Sequence, residues 1–122
     1  MDRYIQVALN SADKSLSRYH KHGAVCVVSG RVVSTGCNYP SGPHLIKVRE
    51  EVFFKYELSC HAEVAAIQKL PPGTNMRKVR LIVVRTGMKM SKPCSICEPV
   101  LRELGINKIY YSCEGQLVRM SC

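Results

Sequence analysis

The sequence predicts an α/β fold, with helices on both faces of a sheet and a parallel strand pair in its second half. Three observations carry this. Helix-like and strand-like segments follow one another as αββ and then α-β-α-β. Residues 79–84 form a near-continuous apolar run, the pattern of a strand buried on both faces. The length of 122 residues suits one domain, 1–122, which buries roughly two-thirds of its unfolded surface and needs no disulfide staples.

Each element has its own signal. Ile5, Ala8, Leu9, Ala12, Leu16 and Tyr19 recur at helical spacing, which predicts an amphipathic helix over 2–19. Segments 24–29 and 31–37 flank Ser29-Gly30 and read as a β-hairpin. Pro40, Gly42 and Pro43 mark a loop. Residues 46–58 read as a helical piece. Residues 62–70 are Ala-rich with Val64, Ile67 and Leu70, and form a short helix stopped by Pro71-Pro72-Gly73. After the 79–84 strand, 85–93 is loop, 94–104 a helix ended by Gly105, 108–112 a strand, and 116–120 a last short strand.

Composition narrows the function classes. Hydrophobic residues at 46% and charged residues at 22% exclude a wholly disordered chain. The longest apolar runs, 24–28 and 81–84, are too short to span a bilayer, and no membrane partner is expected. Asp2 and Arg3 without a long apolar stretch behind them argue against a signal peptide. Seven cysteines cannot all pair within one chain, so thiolates that bind metal fit better than a disulfide framework. A reducing compartment, cytoplasmic or nuclear, is therefore expected, not secretion. Lys and Arg total 18 against 9 acids, a net +9. Between Glu63 and Glu98 there is no acid, and Lys69, Arg77, Lys78, Arg80, Arg85, Lys89 and Lys92 fall in that gap. This predicts a phosphate-bearing partner, a nucleotide or a nucleic acid. A solvated basic loop is the plainer alternative.

The chemistry concentrates at two helix starts. His61-Ala62-Glu63 opens one helix, and Pro93-Cys94 opens the next, with Cys97 three residues on. Two thiolates near a helix N-terminus and one neutral imidazole suit Zn²⁺ and leave a fourth tetrahedral position for water. His61, Cys94 and Cys97 are the expected ligands of one zinc per chain. Glu63 points about 200° away from His61 if both are helical, at 3.6 residues per turn. It is thus expected beside the water, as the group that takes and returns protons. The ordered set H-x-E…P-C-x-x-C is the mark of zinc deaminases.

The chain resembles the cytidine/deoxycytidylate deaminase superfamily from about Lys21 to Ser112. His22-Gly23-Ala24-Val25 resembles its first strand, and Gly36-Cys37-Asn38 its G-x-N. Cys60-His61-Ala62-Glu63 and Pro93-Cys94-Ser95-Ile96-Cys97 match its two metal motifs, and 105–112 resembles the turn and strand that follow. The resemblance implies a three-layer α-β-α fold with a mixed sheet of about five strands in the order 2-1-3-4-5. It implies deamination of cytosine to uracil, with zinc-bound hydroxide as nucleophile and Glu63 as proton shuttle. It further implies that Asn38 holds the sugar and that Ala24, Ala62 and Tyr110 meet the base. Arg85, Lys89 and Lys92 would meet phosphate. A homo-oligomer is compatible with the family.

His61 in place of cysteine points away from free-nucleoside deaminases. Ala65 stands where the deoxycytidylate group often has Asn, and Met90-Ser91-Lys92 where the polynucleotide group often has Ser-Trp-Ser. The expected substrate is a deoxycytidine nucleotide, dCMP or dCTP. Two alternatives stay open. One is a deaminase of cytosine or adenine in single-stranded DNA, RNA or tRNA. The other is a non-catalytic, zinc-stabilised nucleic-acid-binding module with a vestigial site. For the metal itself the plainer alternative is a purely structural zinc, closed by Cys60, His61, Cys94 and Cys97 as four ligands. The histidines His20, His22 and His44 read as surface or loop residues, Cys26 as a small buried hydrophobe.

Overall fold

The computed structural model describes residues 2–16, 20–40, 44–49, 52–56, 59–92 and 97–120. In chain order the elements are α1 (Asp2–Ala12), β1 (His22–Val28), β2 (Arg31–Cys37), β3 (Tyr39–Pro40), β4 (His44–Arg49), β5 (Val52–Tyr56), β6 (Ser59–Cys60), α2 (Ala62–Gln68), β7 (Arg80–Arg85), α3 (Cys97–Leu104), β8 (Lys108–Cys113) and β9 (Gln116–Arg119). The main sheet has five strands in the order β2-β1-β7-β8-β9. Only β7 and β8 are parallel; β1 runs antiparallel to both β2 and β7, and β9 antiparallel to β8. Counting only these five strands, this is the expected mixed order 2-1-3-4-5.

Alternation along β1 and β7 sends side chains to two separate cores. Val25, Val27, Ile82 and Val84 pack with Ala8 of α1 on one face. Ala24, Cys26, Leu81 and Val83 pack with Ala62, Ala66, Ile67 and Leu101 of α2 and α3 on the other. Each large aliphatic side chain fully buried this way contributes about 1.5–3 kcal/mol. That two-sided burial is why 79–84 reads as an unbroken apolar run.

Glycine sets how closely the helices approach. A Cβ on Gly36 would stand 2.5 Å from Ala66 N and 2.7 Å from Ala62 O, so α2 lies directly on the β2 backbone. A Cβ on Gly23 would meet Ala8 O and Ala12 N, so α1 lies as closely on β1 from the other side.

Two expectations are corrected. Residues 46–58 are not helical: β4 and β5 form an antiparallel hairpin with Ile46 opposite Phe54 and Lys47 opposite Phe53. Ile46, Val48, Val52, Phe53 and Phe54 are β-branched or aromatic, and their sheet preference prevails. The hairpin lies beside α2 and α3. With that cover α2 is buried from Ala62 through Ile67. The first helix ends at Ala12, not Tyr19. Beyond it the backbone turns at Asp13 and Lys14, and Ser15 is buried against Asn38 while Leu16 is 80% exposed. The bond from Ser15 to β2's end outweighs another turn of amphipathic helix. Residues 17–19 lie outside the described residues, as do Gly42 and Pro43 of the expected loop. The last helix is described from Cys97 on; the expected start at Cys94 lies outside.

Candidate active site

β1 begins, and β2 and β7 end, at one edge of the sheet, and α2 starts there. His22 pairs with Arg85, so a β1 histidine and a β7 arginine share that edge. Asn38 follows β2 directly, and its N–H donates to His22 O at 3.3 Å. His61 caps α2 with extended backbone, φ −81° and ψ 149°, and its C=O accepts from Ala65 N at 3.1 Å.

That extended cap alters the relation between His61 and Glu63. Because His61 is not itself helical, the 200° helical offset does not apply. Its Nδ1 lies 3.4 Å from Glu63 Oε1. The Glu63 side chain is 6% exposed and that of His61 30%, so a carboxylate is sunk at the start of α2 under a more open imidazole. A carboxylate in the first turn is also favoured by the helix dipole.

His22 belongs to this site, which its sequence context did not suggest. Its Nδ1 and the Ser91 Oγ share a hydrogen bond of 2.8 Å, and its N–H donates to Asn38 Oδ1 at 2.9 Å. Burial holds its pKa below the ordinary 6.5, with the Glu63 charge opposing that and Arg85, His20 and His61 adding to it. Ser91 is itself buried, and its N–H donates to Ser112 O at 2.9 Å. His22 thus ties β1 to the segment that runs into the Cys94 motif. No local pattern marks such a residue; its place becomes visible only once β1 and β7 are in register and Ser91 is brought to it.

Asn38 is 8% exposed and engaged in the scaffold. Its Oδ1 accepts from His22 N and from Ser15 Oγ at 2.8 Å, and its Nδ2 donates to His20 O at 2.7 Å. Among the described residues these bonds use both acceptor positions of the amide oxygen and one of two amide protons. Ala24 and Ala62 are buried in the α2-side core. Arg85 reaches the His22 edge, while Lys89 and Lys92 are exposed on the following loop. Ser112 Oγ fastens that loop, accepting from Arg85 N at 3.0 Å and donating to Lys89 O at 2.6 Å.

Tyr110 is not brought to the site. It packs with Ile82 and Val84 on the α1 face, opposite α2. The neighbouring Tyr111 packs on the α2 face. Strand alternation makes that one-residue step a change of face.

Of the expected zinc ligands, Cys94 lies outside the described residues and the Cys97 side chain is not among those described. Among the described residues no three His, Cys, Asp or Glu form a metal cluster. The described part fits a zinc half-site: an imidazole nitrogen at a helix start, with a buried carboxylate 3.4 Å away. No described helix is long and apolar enough to cross a membrane.

Comparisons with known proteins agree with this fold and with the motifs. Residues 1–113 match the model of the cytidine and deoxycytidylate deaminase zinc-binding region. The fold is similar to the dCMP deaminase of the cyanophage S-TIM5, with a TM-score of 0.65 at 25% identity over 90% of this chain and 79% of that one. That enzyme in complex with dCMP and dUMP aligns with a TM-score of 0.66 at 25% identity, over 90% and 78% of the two chains. The Burkholderia pseudomallei cytidine deaminase aligns with a TM-score of 0.70 at 23% identity, over 98% and 91%. Against curated protein sequences the chain has no significant match. With the family match taking in four of the five main-sheet strands and both metal motifs, the chain belongs to the cytidine and deoxycytidylate deaminases, a family of zinc-dependent enzymes.

Proposed function

We propose that the protein hydrolytically deaminates the cytosine of a deoxycytidine nucleotide, dCMP or dCTP, to uracil. The observation that carries the reading is the buried Glu63 carboxylate 3.4 Å from His61 Nδ1 at the start of α2. His61, Cys94 and Cys97 would hold one zinc ion, which when bound makes a water acidic enough to serve as nucleophile near neutral pH.

The chain's own residues do the rest. Glu63 Oε takes a proton from water and delivers it to the ring N3, then passes a second to the leaving amine. The C4–N bond breaks, a C4–O bond forms, and ammonia leaves. Burial of Glu63 keeps bulk water from competing for those protons. The Ala62 N–H at the helix start orients the base. Asn38 offers its remaining amide proton to the sugar. Arg85, on the same edge, meets the phosphate with Lys89 and Lys92 from the loop.

The S-TIM5 enzyme's complex with dCMP and dUMP supports a nucleotide as the substrate class. The test is a panel of dCMP, dCTP, deoxycytidine, cytidine, single-stranded DNA and tRNA. The highest kcat/KM is expected on dCMP or dCTP. Higher activity on a polynucleotide would replace this substrate, and no turnover of any member would reject the reading.

A further inference from the structure

The acid-free basic segment does not all serve the site. At the opposite end of the sheet, Val27 pairs with Arg80 and Arg80 with Lys108 across β1, β7 and β8. Lys78 arrives from the turn before β7, and the Ser29-Gly30 turn closes the other side. Together they line a cleft of ≈ 320 Å³. Val27, 2% exposed, lies at its base. Among the described residues the lining carries the cations Lys78, Arg80 and Lys108 and no carboxylate.

Neighbouring strands lie about 4.8 Å apart, so the paired Arg80 and Lys108 put two cationic side chains on adjacent strands of one face. The arrangement holds Arg80 in place as well. Its guanidinium lies 5.9 Å from the Tyr110 ring centroid, and that of Arg119 lies 6.0 Å from the same ring. Arg3 of α1 reaches the rim, donating to Gly30 O at 3.0 Å. A ring-restrained arginine fork flanked by lysines recognises phosphate oxygens.

We propose that the cleft lined by Lys78, Arg80 and Lys108, on the α1 face of the sheet, is a second site that binds closely spaced phosphate groups. The chemistry is shared by the polyphosphate of a nucleotide and by successive backbone phosphates of a single strand. The cleft is separate from the active site: the Val27–Arg80 and His22–Arg85 rungs stand about 17 Å apart at 3.3–3.4 Å per residue. One mononucleotide phosphate cannot reach both. The proposal stands independently of the deamination reading.

The test measures binding of tripolyphosphate by calorimetry, and of a labelled oligothymidylate of about ten nucleotides by anisotropy. The variant Lys78→Glu/Lys108→Glu is compared with Lys14→Glu/Lys69→Glu, exposed lysines elsewhere with the same change in charge. Saturable binding to the wild type is expected, weakened at least about tenfold in the cleft variant and less than about twofold in the control. Tighter binding of tripolyphosphate identifies the nucleotide as source. Tighter binding of the oligothymidylate, with a log–log salt slope of about −0.7 per phosphate, identifies the strand. Either upholds the site. Equal weakening in both variants, or no saturable binding of either probe, overturns it. Deamination of free deoxycytidine is measured on the same samples and should not change. Absence of turnover of dCMP, dCTP and every other member of the substrate panel by the wild type would reject the reaction while leaving the binding result intact.

Discussion

The His22 ring and the Ser91 hydroxyl meet at 2.8 Å, joining the first strand to the segment that leads into the Cys94 motif. Partners that orient metal ligands typically change metal affinity by about 10–100-fold when removed. Ser91 bonds none of the expected ligands directly, but it anchors the segment three residues before Cys94, so Ser91→Ala is expected to lower zinc affinity by up to about tenfold, the low end of that range, in a chelator competition while the circular dichroism spectrum is kept. Unchanged zinc retention would mean that the bond serves the fold alone.

The same histidine gives a pH dependence. Its folded pKa lies below the ordinary 6.5, chiefly because it is buried. Below pH 6.5 the unfolded chain then binds more protons than the folded one, so stability rises with pH in that window and falls as the pH drops. Urea midpoints should decline from pH 6.5 downward, and His22→Gln should flatten that decline. An equal slope in the variant would assign the effect to other groups.

Glu63→Gln keeps the shape of the side chain but removes the proton acceptor. Zinc content and fold should persist, with kcat reduced by at least about 10²-fold. A variant that retains activity would show that another group moves the protons.

The metal set is checked by single substitutions. Cys97→Ala and His61→Ala should lose most of the zinc measured by elemental analysis, and Cys60→Ala should retain one ion per chain. Loss in Cys60→Ala with retention in His61→Ala would reverse the assignment.

The contact between Gly36 and Ala66 is expected to be intolerant of any side chain. Gly36→Ala pushes α2 off β2, with an expected cost of about 1–3 kcal/mol in denaturant unfolding. Because α2 carries Glu63, kcat should fall together with stability. A neutral outcome would mean that the helix can shift freely.

Much of this architecture is written locally. The Ser29-Gly30 turn announces its hairpin, and the 79–84 run announces a strand covered on both sides. Ala-rich 62–70 announces the helix that starts the site. The 46–58 segment was harder, because Glu50-Glu51 and Lys55 interrupt a strand pattern and leave apolar residues at spacings compatible with either element. His22 opens a tetrapeptide that resembles the family's first strand, but nothing local marks its imidazole, whose importance comes from a rung shared with Arg85. Tyr110 shows the opposite problem. The motif points to an aromatic on that strand, but only the pairing parity decides that Tyr111, not Tyr110, faces the α2 layer.

The β1–β7 pairing has a consequence for how the molecule assembles. His22, Asn38, His61 and Glu63 all precede β7, whereas Cys97 follows it. The β1–β2 hairpin joins strands close in sequence, but β1 must wait for the β4–β5 hairpin and α2 to be synthesised before β7 can dock beside it. Closing such a long segment carries an entropic cost before any contact repays it. The two halves of the centre are therefore strangers until the sheet closes. Acquisition of zinc during refolding should accordingly coincide with the slowest phase and report completion of the native topology.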